Sequence, residues 1–247
     1  MKLINNLFVI TLIFFQTSIF AQQIGALEIN EENVSNWFEK DIEKYEGIYH
    51  FGEGDGSNLS LIINDNKVII QIRNTEYWTQ GGYAVEAGIA NLSELEMKWE
   101  YKNLSGIKIE NGKFYSDQYQ GEFVIYSDST GERKGLKINN PWNKWIDNYE
   151  IGLRFSETFE NKFFGKYPQA SYRKLSSSEL STLNKSELKI IRNEIFARYN
   201  YEFQKGSEID LYFQKQEWYI SRYKNVSSFL TEIELENIAL IKKYEKK

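Results

Sequence analysis

The hydrophobic period of the chain changes clearly near residue 176, and this change limits the folds that it can adopt. Before that point, short segments such as residues 95–101 alternate apolar and polar side chains. After it, apolar residues recur every three or four positions. Alternation is typical of half-buried strands, and the longer spacing is typical of amphipathic helices. The chain is therefore predicted to be an α+β protein, with an antiparallel sheet followed by a small all-helical domain.

Short strands separated by tight turns are predicted in the first part of the chain. The pair Asn111-Gly112 is the strongest hairpin signal, because both residue types adopt the positive φ of a two-residue turn. The segment from Asn64 to Lys67 predicts a second hairpin. We expect a β-meander that is barrel-like or strongly curved. The candidate strands cover residues 45–51, 59–63, 68–72, 95–101, 106–109, 113–115, 121–126 and 135–138.

Pattern and composition divide the chain into five segments. Aromatic residues are spread through residues 141–175, so this part is expected to pack on its neighbours rather than to act as a free linker. Pro168 and the serines at 176–178 mark the start of the helical part. The predicted segments are a signal peptide at 1–21, a helical lead-in at 22–44, an antiparallel β domain at 45–160, a packed linker at 161–175 and a helical domain at 176–247.

Helices are predicted at both ends of the sheet domain. Residues 30–44 are expected to form a short amphipathic helix with Trp37, Phe38 and Ile42 on its apolar side. In the last part of the chain, Asn184 has the position of a capping residue that begins a helix. Further helices are expected near residues 185–199, 208–215 and 232–244.

The N-terminus has the order of a secretory signal peptide. Lys2 precedes an apolar run at 7–20, and Ala21 offers a small residue for cleavage. The run is short for a membrane span, which needs about 20 residues. The chain has no cysteine, which excludes a lipid-anchored signal and disulfides. We predict a periplasmic or secreted protein with no stable membrane insertion after cleavage.

Charge and residue types exclude several classes of function. The net charge of −5 is mild and mixed along the chain, so no nucleic-acid partner is expected. His50 is the only histidine, and without cysteine a zinc cluster or a Cys–His site is not expected. The glycine-rich loop at 52–58 partly resembles a calcium loop but lacks the closing glutamate, so a loop without metal is predicted. We therefore predict no catalytic residue, metal or cofactor.

The helix at 185–199 has an arginine on its apolar side. Arg192 falls within the arc formed by apolar residues such as Ile195. A buried arginine needs an acceptor, and Glu234 or Glu236 of the last helix is the predicted partner. The alternative is an anion site built on Arg192. Glu194 and Arg198, four residues apart, are expected to pair along the surface, and Asn200 is expected to end the helix.

This region resembles the YARHG domain, a small bacterial domain associated with exported proteins. The name-giving motif reads Phe-Ala-Arg-Tyr-Asn at residues 196–200, with Tyr199 in place of the histidine and Asn200 in place of the glycine. The similarity covers about residues 167–245 and implies no established activity. Because the histidine is replaced and the helix stop is kept, we interpret the motif as structural. Its members are Arg192, Asn193, Glu194, Phe196, Ala197, Arg198, Asn200, Trp218 and Glu236.

The resulting hypothesis is an exported, non-catalytic binding or scaffolding protein of the bacterial cell envelope. Its partner is expected to be an envelope component or a small ligand, and Trp78, Tyr83 and Trp99 are candidate ligand contacts, with core or interdomain packing as the alternative use of such aromatics. A lipocalin-like carrier is a second hypothesis, and it requires an open apolar cavity. An envelope hydrolase is a third, and it requires converging carboxylates or His50 beside a serine.

Overall fold

The computed structural model describes residues 23–24, 27–28, 30–52, 56–78, 96–142, 148–156 and 158–246. The strands are β1 Gln23–Ile24, β2 Leu27–Glu28, β3 Val34–Asn36, β4 Gly47–Phe51, β5 Ser57–Asn64, β6 Lys67–Trp78, β7 Glu96–Asn103, β8 Lys108–Glu110, β9 Lys113–Tyr115, β10 Gln120–Asp128, β11 Gly131–Asn139 and β12 Tyr149–Arg154. The α-helices are α1 Phe159–Lys162, α2 Ser177–Ser181, α3 Lys185–Arg198, α4 Glu208–Phe213 and α5 Glu232–Glu245. Short 3-10 helices cover Glu31–Asn33, Ile42–Tyr45 and Pro168–Ser171.

The large sheet is antiparallel throughout and curls into a half-barrel. Its strand order is β7-β6-β5-β4-β12-β11-β10-β9-β8, and β3 pairs along β10. Strands β1 and β2 form a separate pair. The predicted α+β class, with a strongly curved antiparallel sheet before a helical region, is confirmed. The five segment boundaries stay predictions.

The two predicted hairpins are confirmed by their backbone conformation. Asp65 and Asn66 have φ values of 50° and 63° between β5 and β6. Asn111 and Gly112 have φ values of 52° and 72° between β8 and β9. Positive φ at both central residues gives the turn the twist of the flanking strands. These turns therefore set the register of both hairpins.

Strand β12 was not predicted, although it joins the two halves of the sheet by pairing with β4 and β11. Its alternation is hidden because the face towards the interior carries Glu150 and Gly152 instead of large apolar residues. A Cβ on Gly152 would lie 2.3 Å from the ring of Phe51. The small residue is therefore needed where that ring fills the interior, and the strand loses its apolar signature.

The interior of the half-barrel is filled by packed side chains, many of them aromatic. Tyr45 stacks on Phe123 with 3.9 Å between ring centres, and Trp37 packs edge-on against Tyr45. Among the described residues this interior therefore holds no open apolar cavity. The carrier hypothesis requires such a cavity. The buried members are Trp37, Tyr45, Tyr49, Phe51, Leu59, Leu61, Ile70, Ile72, Leu104, Phe114, Phe123, Leu136 and Ile138.

The amphipathic helix predicted at residues 30–44 is wrong. Two 3-10 helices flank β3 instead, because this stretch adds a strand to β10. Trp37 enters the sheet interior and is 2% exposed, whereas Phe38 is 59% exposed. Pairing with an existing strand satisfies the backbone of these residues and overrides their weak helical pattern.

The helices predicted in the last part of the chain are confirmed within a few residues. α3 and α5 each begin with a capping box, formed by Asn184 with Glu187 and by Thr231 with Glu234. Asn200 has a φ of 58° and ends α3, as predicted. No helix in the described ranges is both long and apolar enough to cross a membrane.

Candidate functional site at the domain interface

The outer face of the sheet carries polar side chains where the helical domain covers it. Paired residues place His50, Asn58, Arg73 and Tyr101 side by side across four neighbouring strands. Since successive side chains of a strand point to opposite faces, this polar row lies on the face opposite the filled interior. A second row next to it joins Ser60, Gln71 and Asn103.

Apolar contacts lie beside these rows at the interface. Ile62 and Ile69 of the sheet pack with Ile233 of α5 in one buried cluster. Tyr101 meets Tyr199 edge-on, with 4.7 Å between ring centres. The helical domain and the sheet therefore share a buried boundary rather than meeting only through the chain connection.

Amide side chains of the sheet bind the loop that leads into α5. Gln71 Nε2 donates to the carbonyl oxygen of Phe229 at 2.6 Å. Asn103 Nδ2 donates to the carbonyl oxygen of Leu230 at 2.9 Å. These bonds satisfy backbone groups that precede the helix, so the start of α5 is positioned by the sheet.

Tyr199, the residue in place of the motif histidine, links the sheet to α5. Its hydroxyl donates to Glu234 Oε2 at 2.7 Å and lies 3.1 Å from Gln71 Oε1. Glu234 also accepts from the backbone N–H of Thr231 at 2.9 Å and from Ser171 Oγ at 2.6 Å. Burial raises the pKa of Glu234, while these donors oppose the rise.

Arg198 of the motif is the arginine that is deeply buried. Its Nε donates to the carbonyl oxygen of Phe164 at 2.7 Å, and its Nη2 donates to that of Tyr167 at 2.8 Å. Its Nη1 donates to Ser171 Oγ at 2.9 Å. The motif arginine thus fastens the segment at 164–171 onto α3.

Glu194 and Arg198 pair as predicted, but inside the protein rather than on its surface. Their charged atoms are 3.1 Å apart, and the side chains are 1% and 5% exposed. Glu194 also accepts the backbone N–H groups of Lys166 and Tyr167, both at 2.8 Å. The surface placement was wrong because the segment at 164–171 folds over this side of α3, which the helix pattern alone does not reveal.

The backbone at Gly165 is shaped around the Glu194 carboxylate. Gly165 has a φ of 115°, and a Cβ there would lie 2.7 Å from the Glu194 carboxyl carbon. Burial raises the pKa of Glu194, and the Arg198 charge with the two N–H donors opposes the rise. The site therefore depends on a glycine at 165.

Arg192 pairs with a residue of α5, the predicted helix, but the partner is neither Glu234 nor Glu236. Its Nη1 is 2.7 Å from Glu245 Oε2, at the far end of α5. Helices α3 and α5 are antiparallel. The start of α5 therefore contacts Tyr199, whereas the last turn of α5 contacts Arg192, which lies about 10 Å from Tyr199 along the axis of α3. Glu236 instead lies 3.0 Å from Lys174 Nζ, so the predicted pairing is corrected.

Two lysines that are distant in sequence join Arg192 at an open groove. Lys224 and Lys242 line it together with Arg192 and Asn193, and its volume is about 430 Å³. The sequence did not indicate that these three basic side chains lie close together, because they come from α3, from the loop before α5 and from α5 itself. The alternative of an anion site at Arg192 therefore has more basic groups than the sequence pattern indicated.

The remaining motif residues pack within the helical domain. Asn193 Nδ2 donates to the carbonyl oxygen of Lys189 at 2.7 Å. Ala197 is fully buried, Phe196 packs against Tyr201, and Trp218 packs edge-on against Phe213. Asn193 and Phe196 also line the open groove beside Arg192.

Trp99 lies at the domain boundary. The Arg222 guanidinium lies 5.0 Å from the centre of its indole ring. The backbone N–H of Trp99 donates to the Tyr223 hydroxyl at 3.1 Å. That hydroxyl donates in turn to the backbone carbonyl oxygen of Trp99, also at 3.1 Å. The Trp99 ring therefore takes part in packing between the two domains. Tyr83 and the side chain of Trp78 lie outside the described residues.

His50 lies within the sheet rather than at an edge. Its Nδ1 is 2.9 Å from Asn58 Oδ1, and its ring stacks on Phe155. Within the described residues, the hydrogen-bond partner of His50 is thus an amide. A Ser–His–Asp triad instead requires a serine and a carboxylate beside the histidine. Residues 53–55 of the glycine-rich loop lie outside the described residues, and elsewhere no group of three acidic, histidine or cysteine side chains is placed to hold a metal.

The interface contains a small, partly open cavity of about 90 Å³. It is lined by Arg73 and Tyr101 of the sheet and by Arg198, Tyr199 and Glu234 of the helical domain. Burial raises the pKa of Tyr101, and the Arg73 charge opposes the rise. Ionisable groups with displaced pKa values therefore gather at this cavity, as they do at many functional sites.

A comparison with protein families agrees with the motif resemblance. Residues 165–246 match the model of the YARHG domain. No curated protein and no solved structure matches the chain. The matched residues contain α2 to α5 and every motif residue described above. The C-terminal third of this chain is therefore a YARHG domain.

Proposed function

We propose that this chain is an exported, non-catalytic binding or scaffolding protein of the bacterial cell envelope. The observation that carries the proposal is the use of the motif side chains. Arg198 directs its donors to carbonyl oxygens, a serine and a carboxylate of its own chain. Tyr199 directs its hydroxyl to Glu234. A motif engaged in this way holds two parts of a protein together and has no free group for chemistry.

The proposed location rests on two independent features. The YARHG domain is typical of exported proteins. The N-terminal residues have a positive charge, an apolar run and a small residue in the order of a signal peptide.

Export is tested by expressing the full chain and a variant that lacks residues 2–21 in a bacterium with two membranes. The full chain is expected in the periplasm or the medium, with a new N-terminus near Gln22 found by mass spectrometry. The shortened variant is expected in the cytoplasm. A full chain that stays uncleaved in the cytoplasm would contradict export.

Binding without catalysis is tested by sedimentation with isolated cell-envelope material. The purified protein is expected to sediment with the envelope material and to release no soluble sugar or peptide fragments from it. A matched variant, Arg192→Gln, probes whether the basic groove contributes to binding. Release of fragments would contradict a non-catalytic role, and a protein that stays in the supernatant would contradict envelope binding.

A further inference from the structure

The charge balance at the interface cavity is uneven. Arg198 is paired with Glu194, and Glu234 accepts four hydrogen bonds from Ser171, Tyr199 and Thr231. Arg73 has no such compensation. Its Nε is buried and has no hydrogen-bond partner, and its guanidinium forms no ion pair within the part of the chain that the structure describes.

An unpaired arginine under a domain interface is costly. Arg73 is partly buried, and taking part of a guanidinium out of water without an opposite charge is unfavourable. The neighbours of Arg73 across the sheet, Asn58 and Tyr101, are uncharged. The cavity in front of this arginine is therefore the place where a compensating negative charge is expected.

Other groups that line the cavity also suit an anion. Lys162 adds a second positive charge on its lining. Asn58 Oδ1 is 2.9 Å from His50 Nδ1, which leaves the amide hydrogens of Asn58 for the cavity. Ser60 contributes a hydroxyl. Together these groups provide positive charge and hydrogen-bond donors to the same small space.

The size of the cavity limits the ligand. A water molecule takes about 30 Å³ in the liquid, so about 90 Å³ holds a few waters or one small oxyanion. A guanidinium donates two parallel hydrogen bonds to the oxygens of such an anion. A sugar or a peptide does not fit entirely within this space.

We propose that this cavity binds one small oxyanion, a phosphate or a sulfate, which Arg73 holds between the half-barrel and the YARHG domain. The anion contacts both parts of the protein and stabilises their association, because a ligand that binds only the folded state raises its stability. This site is independent of the proposed envelope role. Phosphate binding is measured on purified protein and does not depend on export or on an envelope partner.

The test is calorimetric titration of the full chain with inorganic phosphate at neutral pH, with chloride at the same ionic strength as the reference. One phosphate per chain is expected to bind, sulfate is expected to compete, and the melting temperature is expected to rise with phosphate. Arg73→Gln is expected to weaken the affinity about tenfold or more, because a hydrogen bond to a charged group is lost.

Arg192→Gln is the matched control, because Arg192 lies in the basic groove with Lys224 and Lys242. It is expected to leave phosphate affinity unchanged. Absence of saturable phosphate binding to the wild-type chain would overturn the proposal. So would equal affinity in Arg73→Gln, or a loss of binding in Arg192→Gln alone, which would place the anion in the groove.

A second variant covers the case in which Arg73→Gln does not fold. Ser60→Leu keeps Arg73 but fills the cavity with an apolar side chain. With far-UV circular dichroism like that of the wild type, this variant is expected to lose phosphate binding. Retained affinity in the filled variant would contradict a site in the cavity.

Discussion

The half-barrel interior and the domain interface are both buried, but different forces stabilise them. The interior consists mainly of aliphatic and aromatic side chains such as Phe51 and Phe123. The interface and the part of the helical domain behind it contain Arg198, Glu194 and Glu234, each with several specific partners. An apolar core accepts changes of shape that keep its volume, whereas a buried charge fails when one partner is removed. The interface is therefore the more specific of the two regions and the more sensitive to single substitutions.

One buried residue of the sheet departs from this pattern. Glu150 is 1% exposed, and one of its carboxylate oxygens has no hydrogen-bond partner. Burial raises its pKa to about 7, with a backbone bond from Gly52 opposing the rise. Glu234 is equally buried and burial raises its pKa too, but several donors oppose the rise. The partners of a buried carboxyl group therefore matter as well as its depth.

The largest effect is expected from Arg198→Met. The change leaves Glu194 buried without its opposite charge, so the free energy of unfolding should fall by about 3–5 kcal/mol. Urea unfolding measures the loss. Arg192→Met is the control, because the Arg192–Glu245 pair is partly exposed and should contribute about 0–1 kcal/mol. Equal losses in the two variants would remove the distinction between the buried and the outer arginine.

The next effect is a pH dependence that arises from Glu150. Its folded pKa of about 7 lies above the ordinary 4.5, so its contribution to stability is complete below pH 4.5 and is lost as pH rises through 7. That difference corresponds to about 3 kcal/mol. The free energy of unfolding of Glu150→Gln, relative to that of the wild type, is expected to be higher at pH 8 than at pH 4. Parallel stability curves for the two proteins would show that Glu150 does not titrate on unfolding.

A smaller loss is expected from Tyr199→Phe at the interface. Removing the hydroxyl takes one donor from Glu234 and should lower the free energy of unfolding by about 1–3 kcal/mol. Tyr201→Phe is a matched control in the same domain, and the Tyr201 hydroxyl has no hydrogen bond to another described residue. Thermal unfolding of both variants compares them. A control loss as large as that of Tyr199→Phe would mean that packing, not the Glu234 bond, is what matters.

The smallest effect is expected in the half-barrel interior. Ile70→Leu keeps the volume of a fully buried side chain and should cost less than about 1.5 kcal/mol. The same urea assay applies. A loss above that of Tyr199→Phe would contradict the view that the interior tolerates repacking better than the interface.

The helices and hairpins were predictable because their signals are local. Asn111-Gly112 determines a turn by its own backbone preferences, and the Asn184 capping box acts within one helical turn. Strand β12 was missed because Gly152 makes room for Phe51, a residue about a hundred positions earlier. The lead-in at 30–44 was misassigned for a similar reason, since its pairing with β10 lies far along the chain.

The site was predictable only in part. The motif directed attention to α3, but it did not distinguish the two arginines. On a helical wheel Arg192 lies within the apolar arc, whereas Arg198 lies at its edge beside Ile191. The segment at 164–171 covers the side of Arg198, and the antiparallel α5 reaches Arg192 with its last turn. Arg73 carried no signal at all, because a single arginine in a strand has no local pattern.

The sequence by itself determined most of the strands and helices, the two hairpin turns and the YARHG match of the last third. These depend on periods, caps and turn residues that act over a few positions. Only the tertiary structure decided which arginine is buried, which donors the buried carboxylates accept and that Arg73 lines the interface cavity. Those outcomes depend on which surfaces cover one another, and burial changes the energy of a charge far more than its neighbours in sequence do.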